Sequence, residues 1–208
     1  IFSGLGDVIL DPEKRAVHID SIVELVERLD YDGIDIDYEG FALNTRDAFS
    51  EFIEELSARL HANGRLLTIA VHAKTSDEGA WEGAASQDWT RIAPAVDIMA
   101  IMTYDYGGRN APPQPIGPTP WTLDVLAYAA TVTDLSKVRM GLHFYGYTWP
   151  DGNPPAAAIN WETVQLYINA YKPEILRDPA DLEAFIEVQP VGLSRQVIYF
   201  ADSVSVAH

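Results

Sequence analysis

The sequence of 208 residues lacks cysteine altogether and has few basic residues. Without cysteine it can form neither a disulfide nor a thiolate zinc site, so the redox state of its compartment is not constrained. Lysine and arginine total 14 against 31 acidic residues, which gives a formal net charge of −17. Nucleic acids and anionic membranes are therefore not expected partners, because phosphate groups are bound by basic surfaces. An uncharged polymer or small molecule suits this charge better.

Long apolar runs, internal repeats and phosphate-binding loops are also missing. No run approaches the roughly 18 apolar residues of a membrane-spanning helix. No glycine-rich loop follows the first strand, which disfavours a doubly wound nucleotide-binding sheet. Hydrophobic residues nevertheless make up 48% of the chain, enough for one globular domain with a sizeable core. The sequence has no initiator methionine and opens within an expected strand, so we expect it to be part of a longer protein.

Hydrophobic patterns along the chain alternate between strand and helix. Strands are predicted at 1–6, 33–39, 66–73, 96–104, 138–145 and 196–200, with a short extra strand at 185–188. Helices are predicted at 13–29, 45–61, 88–92, 122–132 and 161–170. In the second helix the inward face is expected to carry Phe49, Phe52, Ile53, Leu56 and Leu60. This alternation predicts a parallel sheet with crossover helices, and a (β/α)8 barrel is favoured over the doubly wound sheet.

The segment 32–39 is the most informative part of the chain. If it is extended, Asp35, Asp37 and Glu39 share one face, and the other face carries Ile34, Ile36 and Tyr38. Carboxyls about 6–7 Å apart on a partly desolvated face share protons, which raises one pKa and produces a proton donor near neutral pH. A solvated edge strand and a divalent-cation site are the alternative interpretations.

Polar residues also follow the other predicted strands. Those expected at carboxyl ends are Glu39, His72, Tyr104, Asp105, Tyr145 and Asp202. In a barrel these ends form the active-site face. His72 and His143 near Asp37 and Asp105 leave open a zinc or manganese hydrolase, although their spacing matches no ligand motif.

Four segments together resemble one enzyme family. Asp-x-x-Asp-x-Asp-x-Glu, complete from Asp32 to Glu39, resembles the signature of family 18 glycoside hydrolases, the chitinase family. Three further segments resemble its sixth, seventh and eighth strands: 102–105 (Met-Thr-Tyr-Asp), 141–146 (Gly-Leu-His-Phe-Tyr-Gly) and 197–203. Segments 70–75 and 144–149 are similar to the bacterial spore-cortex-lytic N-acetylglucosaminidase branch. The resemblance implies one family 18 catalytic domain over residues 1–208, a barrel with about strands three to eight present, and missing N-terminal strands and C-terminal helix.

The resemblance also implies a chemistry, retaining and substrate-assisted hydrolysis, in which the N-acetyl oxygen of the substrate attacks the anomeric carbon. Glu39 would be the general acid and then the base that activates water. Asp37 would orient the N-acetyl group and Asp35 would share a proton with Asp37, while Asp32 would be structural. Tyr104 would donate a hydrogen bond to the N-acetyl carbonyl oxygen.

Substrate binding is assigned to several neighbouring positions by the same resemblance. Asp105 would bind sugar near the −1 site, where Met102 and Tyr145 would line the pocket. Aromatic side chains offer stacking faces for sugars. Trp149 is favoured and Trp121 is a second candidate, whereas Trp81 and Trp89 are expected to be structural. Three departures from chitinases are Phe200 in place of a floor tryptophan, His72 and His143 where proline is common, and Tyr147 where arginine often stands.

The expected substrate is a β-1,4-linked N-acetylhexosamine glycan, with chitin and peptidoglycan both open. No cofactor or metal is implied. The resemblance places the protein outside the cell, in the envelope or on the spore of a bacterium. A non-catalytic glycan-binding lectin on the same fold is the main alternative, but such members commonly lack the acid that is present here as Glu39. Endo or exo action and the oligomeric state stay open.

Overall fold

A computed structural model describes residues 4–180 and 182–207. Its helices are α1 (Leu5–Leu10), α2 (Pro12–Arg28), α3 (Arg46–Ala62), α4 (Glu82–Ala85), α5 (Trp89–Ala95), α6 (Thr119–Val132), α7 (Trp161–Tyr171) and α8 (Ser203–Ala207). Its strands are β1 (Gly33–Ile36), β2 (Leu66–His72), β3 (Ile98–Met102), β4 (Val138–Met140), β5 (Tyr145–Pro150), β6 (Ala157–Asn160), β7 (Leu176–Arg177), β8 (Ala184–Val188) and β9 (Gln196–Phe200). The predicted α/β class is confirmed.

The chain divides into two compact units. The first runs to Met102 and includes Val125–Gly141, and the second contains Thr103–Asp124 and the chain from Leu142 onward. Each unit has a sheet of its own.

The first unit is built on a parallel sheet in the order β1-β2-β3-β4. Ile34 pairs with Leu67, and Ile69 pairs with Met99. Side chains of β2 alternate in burial, as expected for a strand with two differently covered faces. The alternating pattern predicts parallel strands in sequential order that are joined by helices, as observed here. In this arrangement the C-terminal ends of the strands lie at one edge of the sheet.

Helix α3 packs on this sheet and α2 packs on α3. The ends of both helices have local causes. The Asp11 carboxylate accepts hydrogen bonds from the backbone N–H groups of Glu13 and Lys14, which caps α2, and Pro12 occupies its first turn. Gly64, at φ +67°, follows the end of α3. The predicted inward face of α3 is confirmed, because all five of its residues are fully buried: Phe49, Phe52, Ile53, Leu56 and Leu60.

The second unit is built on an antiparallel sheet in the order β6-β5-β9-β8-β7. Successive residues of β9 pack into two different clusters, one with Val197 and Tyr199 and the other with Ile198 and Phe200. All five residues of β9 are buried, so this central strand is covered on both faces. The apolar run in the sequence reflects that double burial.

Several predicted strands differ from the structure. Residues 5–6 begin α1 and are not strand, and residues 1–3 of that prediction lie outside the described residues. The predicted strand 138–145 is wrong as a single strand, because β4 and β5 belong to different sheets and residues 141–144 lie between them. The strand predicted at 196–200 is β9, which runs antiparallel to β5 and β8. The described parallel sheet therefore has four strands where six barrel-type strands were expected.

Within residues 4–180 and 182–207, no helix combines the length and apolar character needed to cross a membrane.

Candidate active site

The acidic segment lies at the edge of the first unit's sheet. Strand β1 ends at Ile36, so Asp37 and Glu39 follow the strand and are not part of it. Asp35, Asp37 and Glu39 are all exposed. The expectation of a desolvated acidic face is therefore wrong, because β1 is an edge strand with β2 as its neighbour. The Thr68 hydroxyl on β2 donates a hydrogen bond to the Asp35 carboxylate.

The opposite side of the segment is anchored by packing. Ile36 is 2% exposed, and the Tyr38 ring stacks on Phe52 of α3 with a centroid distance of 5.8 Å. His18 Nε2 of α2 lies 2.8 Å from the Tyr38 hydroxyl oxygen. Burial lowers the pKa of His18 and raises the pKa of Tyr38, so this pair is neutral near pH 7. The apolar half of the alternation thus fixes the acidic half in place.

Gln87, which sequence reasoning missed, ties the acidic segment to β2. Its side-chain Oε1 accepts a hydrogen bond of 2.7 Å from the backbone N–H of His72. Its Nε2 donates to the carbonyl oxygen of Tyr38, the residue before Glu39, at 3.4 Å. Gln87 is 1% exposed. A buried glutamine in a loop has no sequence signature, so no local pattern could have indicated this role.

A buried lysine supports the loop that carries Gln87. Lys74 Nζ donates to the Gln87 carbonyl oxygen at 2.7 Å and to the Asp77 carbonyl oxygen at 3.2 Å. The ammonium group also lies over the rings of Trp89 and Tyr128, at 5.5 and 5.9 Å from their centroids. Burial lowers the pKa of Lys74. The buried ammonium group of Lys74 therefore stabilises the segment between β2 and α5.

His72, at the end of β2, lies beside Glu39. Its Nε2 is 3.6 Å from Glu39 Oε2, and the side chains are 13% and 50% exposed respectively. Burial lowers the pKa of His72 to about 4, so the imidazole is neutral near pH 7. Its other neighbour is Trp81, whose ring meets the imidazole edge-on with a centroid distance of 4.6 Å. Glu39 thus has an open side and a buried, neutral side.

A cleft of about 300 Å³ is lined by Glu39 among other residues. Helix α1 and residues 39–45 supply its walls. Glu39 therefore lines a cleft with a half-exposed side chain, which makes its carboxyl accessible to a ligand.

In the second unit, the Asp105 carboxylate accepts hydrogen bonds from two tyrosine hydroxyls. The Tyr145 hydroxyl donates to Asp105 Oδ1, and the Tyr147 hydroxyl donates to the same oxygen at 2.8 Å. Burial raises the pKa of both tyrosines, that of Tyr147 to about 12, so both stay protonated donors at neutral pH. Asp105 has φ +59°, in the left-handed region that aspartate tolerates. Tyr104 lies edge-on to Tyr145 at 6.3 Å between centroids, so Tyr104, Asp105 and Tyr145 lie together within the second unit.

Two expected sugar-binding aromatics are instead buried. Trp149 is 1% exposed on β5, and its Nε1 donates to the Ala111 carbonyl oxygen at 2.8 Å. Phe200 is also 1% exposed, in the cluster formed with α7 and β8. The prediction that Trp149 offers a stacking face is wrong because Trp149 lies on a covered strand, not in a loop after it. The pocket-floor role of Phe200 is not supported by an open face.

The remaining candidates are partly accessible. Met102, the last residue of β3, is half-buried. Trp121 is half-buried and packs at 5.1 Å against Tyr106, which is 49% exposed. Among the described residues no three His, Asp or Glu side chains are grouped to hold a metal ion.

His143 has a structural neighbour in the second unit. Its Nε2 lies 3.5 Å from Glu183 Oε2, and Glu183 is 3% exposed. The Glu183 carboxylate accepts hydrogen bonds from the backbone N–H groups of Ile116 and Gly117. This buried carboxylate holds the proline-rich loop.

Comparison with known proteins decides the family. Residues 3–189 match the model of glycosyl hydrolases family 18. The chain belongs to this family. A Bacillus anthracis protein named cortical fragment-lytic enzyme is 31% identical over 208 residues, 97% of this chain and 48% of that protein. Chitinase A1 of Niallia circulans is 29% identical over 192 residues, which cover 76% of this chain. The chain spans about half the length of the cortical fragment-lytic relatives it matches.

Solved structures that resemble this chain agree with this assignment. The spore cortex-lytic enzyme SleL of Bacillus cereus is 26% identical, with a TM-score of 0.85 over 96% of this chain and 47% of that one. A chitinase from Chromobacterium violaceum is 25% identical, with a TM-score of 0.88 over 94% of this chain and 62% of that one. The resemblance inferred from the acidic motif and its companion segments is therefore confirmed.

Proposed function

We propose that this chain is the catalytic part of a retaining glycosidase that cleaves β-1,4-linked N-acetylhexosamine glycans with the help of the substrate's N-acetyl group. The observation that carries the proposal is Glu39, the last residue of the complete family 18 motif, exposed beside a neutral His72 and a cleft. A half-exposed carboxyl is accessible to a glycosidic oxygen, and a general acid needs that access.

The roles follow the family's mechanism. Glu39 protonates the leaving-group oxygen, while the substrate's N-acetyl oxygen attacks the anomeric carbon. Glu39 then removes a proton from the water that opens the cyclic intermediate. Asp37 orients the N-acetyl group, and Asp35 shares a proton with Asp37. Tyr104 donates to the N-acetyl carbonyl oxygen.

Asp105 binds sugar near the −1 site, and Met102 and Tyr145 line that pocket. The paired hydroxyls of Tyr145 and Tyr147 support this proposal, because their hydrogen bonds to one carboxylate oxygen orient the exposed Asp105 side chain. Trp121 adds a half-buried ring in the same unit.

Family membership also supports a (β/α)8 barrel as the fold of the complete domain. The first unit has four parallel strands in sequential order, and a (β/α)8 barrel is built by repeating this arrangement. The substrate is chitin oligomers or peptidoglycan strands, and the relatives named for cortical fragments and the spore cortex favour the second in a spore or cell-envelope setting.

The test compares the full-length protein with its Glu39→Gln variant on labelled chitotetraose and on cortex-type muropeptides. We expect Glu39→Gln to lose at least ~100-fold in kcat on whichever substrate is cleaved, the usual scale for a general acid. Glu24→Gln is the matched control, since Glu24 is an exposed carboxylate on α2. Unchanged turnover of Glu39→Gln would show that the acid is another group.

A further inference from the structure

Glu183 carries a buried carboxylate that the proposed reaction does not use. It lies directly before β8 and is 3% exposed. Acidic side chains are almost never buried this completely unless hydrogen bonds or ion pairs compensate for the lost water. The groups that contact this carboxylate therefore indicate what it stabilises.

Its partners are backbone groups of the proline-rich loop, residues 111–118. The N–H group of Ile116 donates to both carboxylate oxygens, at 2.9 and 3.0 Å, and the N–H group of Gly117 donates to Oε2 at 3.3 Å. Ile116 is 2% exposed, so its N–H group depends on a partner within the protein. One side chain thus binds two consecutive backbone groups of the loop.

The loop in turn contacts the segment that carries Asp105. The N–H group of Tyr106, the residue after Asp105, donates to the Ile116 carbonyl oxygen at 3.0 Å. Ile116 therefore has its N–H group on the Glu183 carboxylate and its carbonyl oxygen on the Tyr106 backbone. A single residue separates the buried carboxylate from the backbone next to Asp105.

A second contact joins the loop to Thr103, the residue before Tyr104. A Cβ atom placed on Gly117 would lie 2.8 Å from the Thr103 carbonyl oxygen and 3.3 Å from two atoms of the His143 ring. Gly117 is thus packed against the Thr103 backbone in a space that has no room for a side chain. The loop contacts the segment 103–106 at both of its ends.

The backbone of Asp105 needs such support. Its φ of +59° lies in the left-handed region, which residues other than glycine rarely adopt and which persists only where the surrounding structure determines it. The hydroxyls of Tyr145 and Tyr147 orient the Asp105 side chain through hydrogen bonds to Oδ1. The loop bound by Glu183 holds the backbone on either side. All of these residues belong to the second unit.

We propose that Glu183 is a positioning residue for Asp105 in the cleavage reaction, and that it acts through Ile116 and Gly117 on the backbone around Asp105. This inference rests on the proposed role of Asp105 in sugar binding. Glu183 is buried, so it does not contact the glycan and takes no part in proton transfer.

A double-mutant cycle on the full-length protein tests this role. It compares kcat/KM of the wild type, Glu183→Gln, Asp105→Asn and the double variant on labelled chitotetraose and on cortex-type muropeptides. Glutamine keeps the shape of Glu183 but replaces one acceptor oxygen with an NH₂ group, which cannot accept from the Ile116 N–H group. Asparagine tolerates the left-handed backbone of Asp105.

We expect Glu183→Gln to lower kcat/KM at least about tenfold in the wild type and less than about twofold in Asp105→Asn, because residues that act through one another are not additive. A purely structural role would lower the folded fraction, and kcat/KM would then fall by the same factor in both backgrounds. Urea unfolding of each variant measures that fraction separately.

Two further variants sharpen the comparison. Gly117→Ala should reproduce the behaviour of Glu183→Gln in both backgrounds, because the added methyl group pushes the loop away from Thr103. Glu187→Gln is the matched control, since Glu187 lies on β8, is exposed and pairs with Arg195 at 2.6 Å. It should leave kcat/KM within about twofold of the parent, as expected for a surface substitution.

The outcomes separate the positioning role from the proposed function. If Glu39→Gln abolishes turnover, an equal loss in both backgrounds, no loss in Glu183→Gln, or parent-like kcat/KM in Asp105→Asn overturns the positioning role alone. A loss confined to the wild-type background together with an active Glu39→Gln supports the positioning role and overturns the role of Glu39. A wild-type protein that cleaves neither glycan overturns both. If Glu183→Gln does not fold, as judged by circular dichroism, Gly117→Ala replaces it in the cycle.

Discussion

Glu39 and His72 form a pair in which burial decides the charge state. The imidazole lies 13% exposed at the end of β2, and the carboxyl beside it is half exposed. The Nε2 atom of His72 has no hydrogen-bond partner among the described residues, so protonation of His72 places a charge on a buried nitrogen, 3.6 Å from Glu39 Oε2.

Stability should depend on pH through His72. Its pKa is about 4 in the folded chain and near 6.5 in the unfolded chain. Between these two pH values the unfolded state binds more protons than the folded state, so the free energy of unfolding rises with pH. The contribution of His72 to stability is therefore lost as pH falls from about 6.5 to about 4. We expect His72→Phe to remove this component. A plot of the free energy of unfolding against pH should therefore be steeper for the wild type than for His72→Phe between about pH 4 and 6.5. Above that range the two plots should run parallel.

Urea unfolding at a series of pH values measures this difference, with midpoint and slope fitted separately at each pH. Curves of equal steepness for both proteins across the window would mean that His72 titrates alike in the folded and unfolded states. A steeper curve for the variant would reverse the sign and contradict burial as the cause.

The loop between β2 and α5 acts as a support for the acidic segment. Gln87 contacts the backbone of His72 and of Tyr38, and Lys74 holds the Gln87 carbonyl oxygen. Two backbone groups, one at the end of β2 and one just after β1, therefore depend on one side chain. The position of Glu39, which directly follows Tyr38, depends on the same contacts.

Gln87→Leu should damage catalysis through position. The substitution keeps the side chain buried but leaves the His72 N–H and the Tyr38 carbonyl oxygen without this partner, which costs about 1–3 kcal/mol of unfolding free energy. We expect kcat to fall more than KM rises, because Gln87 does not contact the sugar in the proposed mechanism. Steady-state kinetics and thermal unfolding together measure both effects.

A matched glutamine provides the comparison. Gln189 is exposed and donates to the Leu193 carbonyl oxygen, so Gln189→Leu should change stability by less than about 0.5 kcal/mol and leave kcat unaltered. Equal kinetic behaviour of the two variants would refute the positioning role, whereas a stability loss with normal kcat would reduce Gln87 to a purely structural residue.

Features that depend on residues close together in the sequence could be predicted from it. The apolar stripe of α3 follows from the helical period and is confirmed. The acidic motif indicated the family without any structure. Strand β4 was predicted too long because residues 141–144 continue an apolar-rich run, although pairing partners, not pattern, decide where a strand ends.

Long-range contacts account for the misses. The burial of Trp149 depends on the partner strand β9 and on the Ala111 carbonyl oxygen, which lie far away in sequence. Strand β6 is four residues long and follows a proline-rich turn, so it has no readable period.

The excess of acidic residues acts on the molecule as a whole. A net charge of −17 produces a negative field that extends beyond individual contacts. Chitin oligomers are uncharged, whereas peptidoglycan strands carry peptide carboxylates. Encounter with the second substrate is therefore opposed by the field, and added salt weakens that opposition because charges are screened beyond about 8 Å at physiological ionic strength.

Salt should consequently separate the two substrates. We expect kcat/KM on carboxylate-bearing muropeptides to rise at least roughly threefold between low salt and physiological ionic strength, since screening removes repulsion from the association step, while kcat/KM on chitotetraose stays nearly constant. Initial rates of the full-length protein at several sodium chloride concentrations measure both, with an equal osmolarity of sucrose as the control for non-ionic effects. A decrease of kcat/KM on muropeptides with added salt would contradict this prediction and would require a basic side chain that attracts the substrate more strongly than the net negative charge repels it. Arg109, which is exposed in the second unit, is the first side chain to replace in that case.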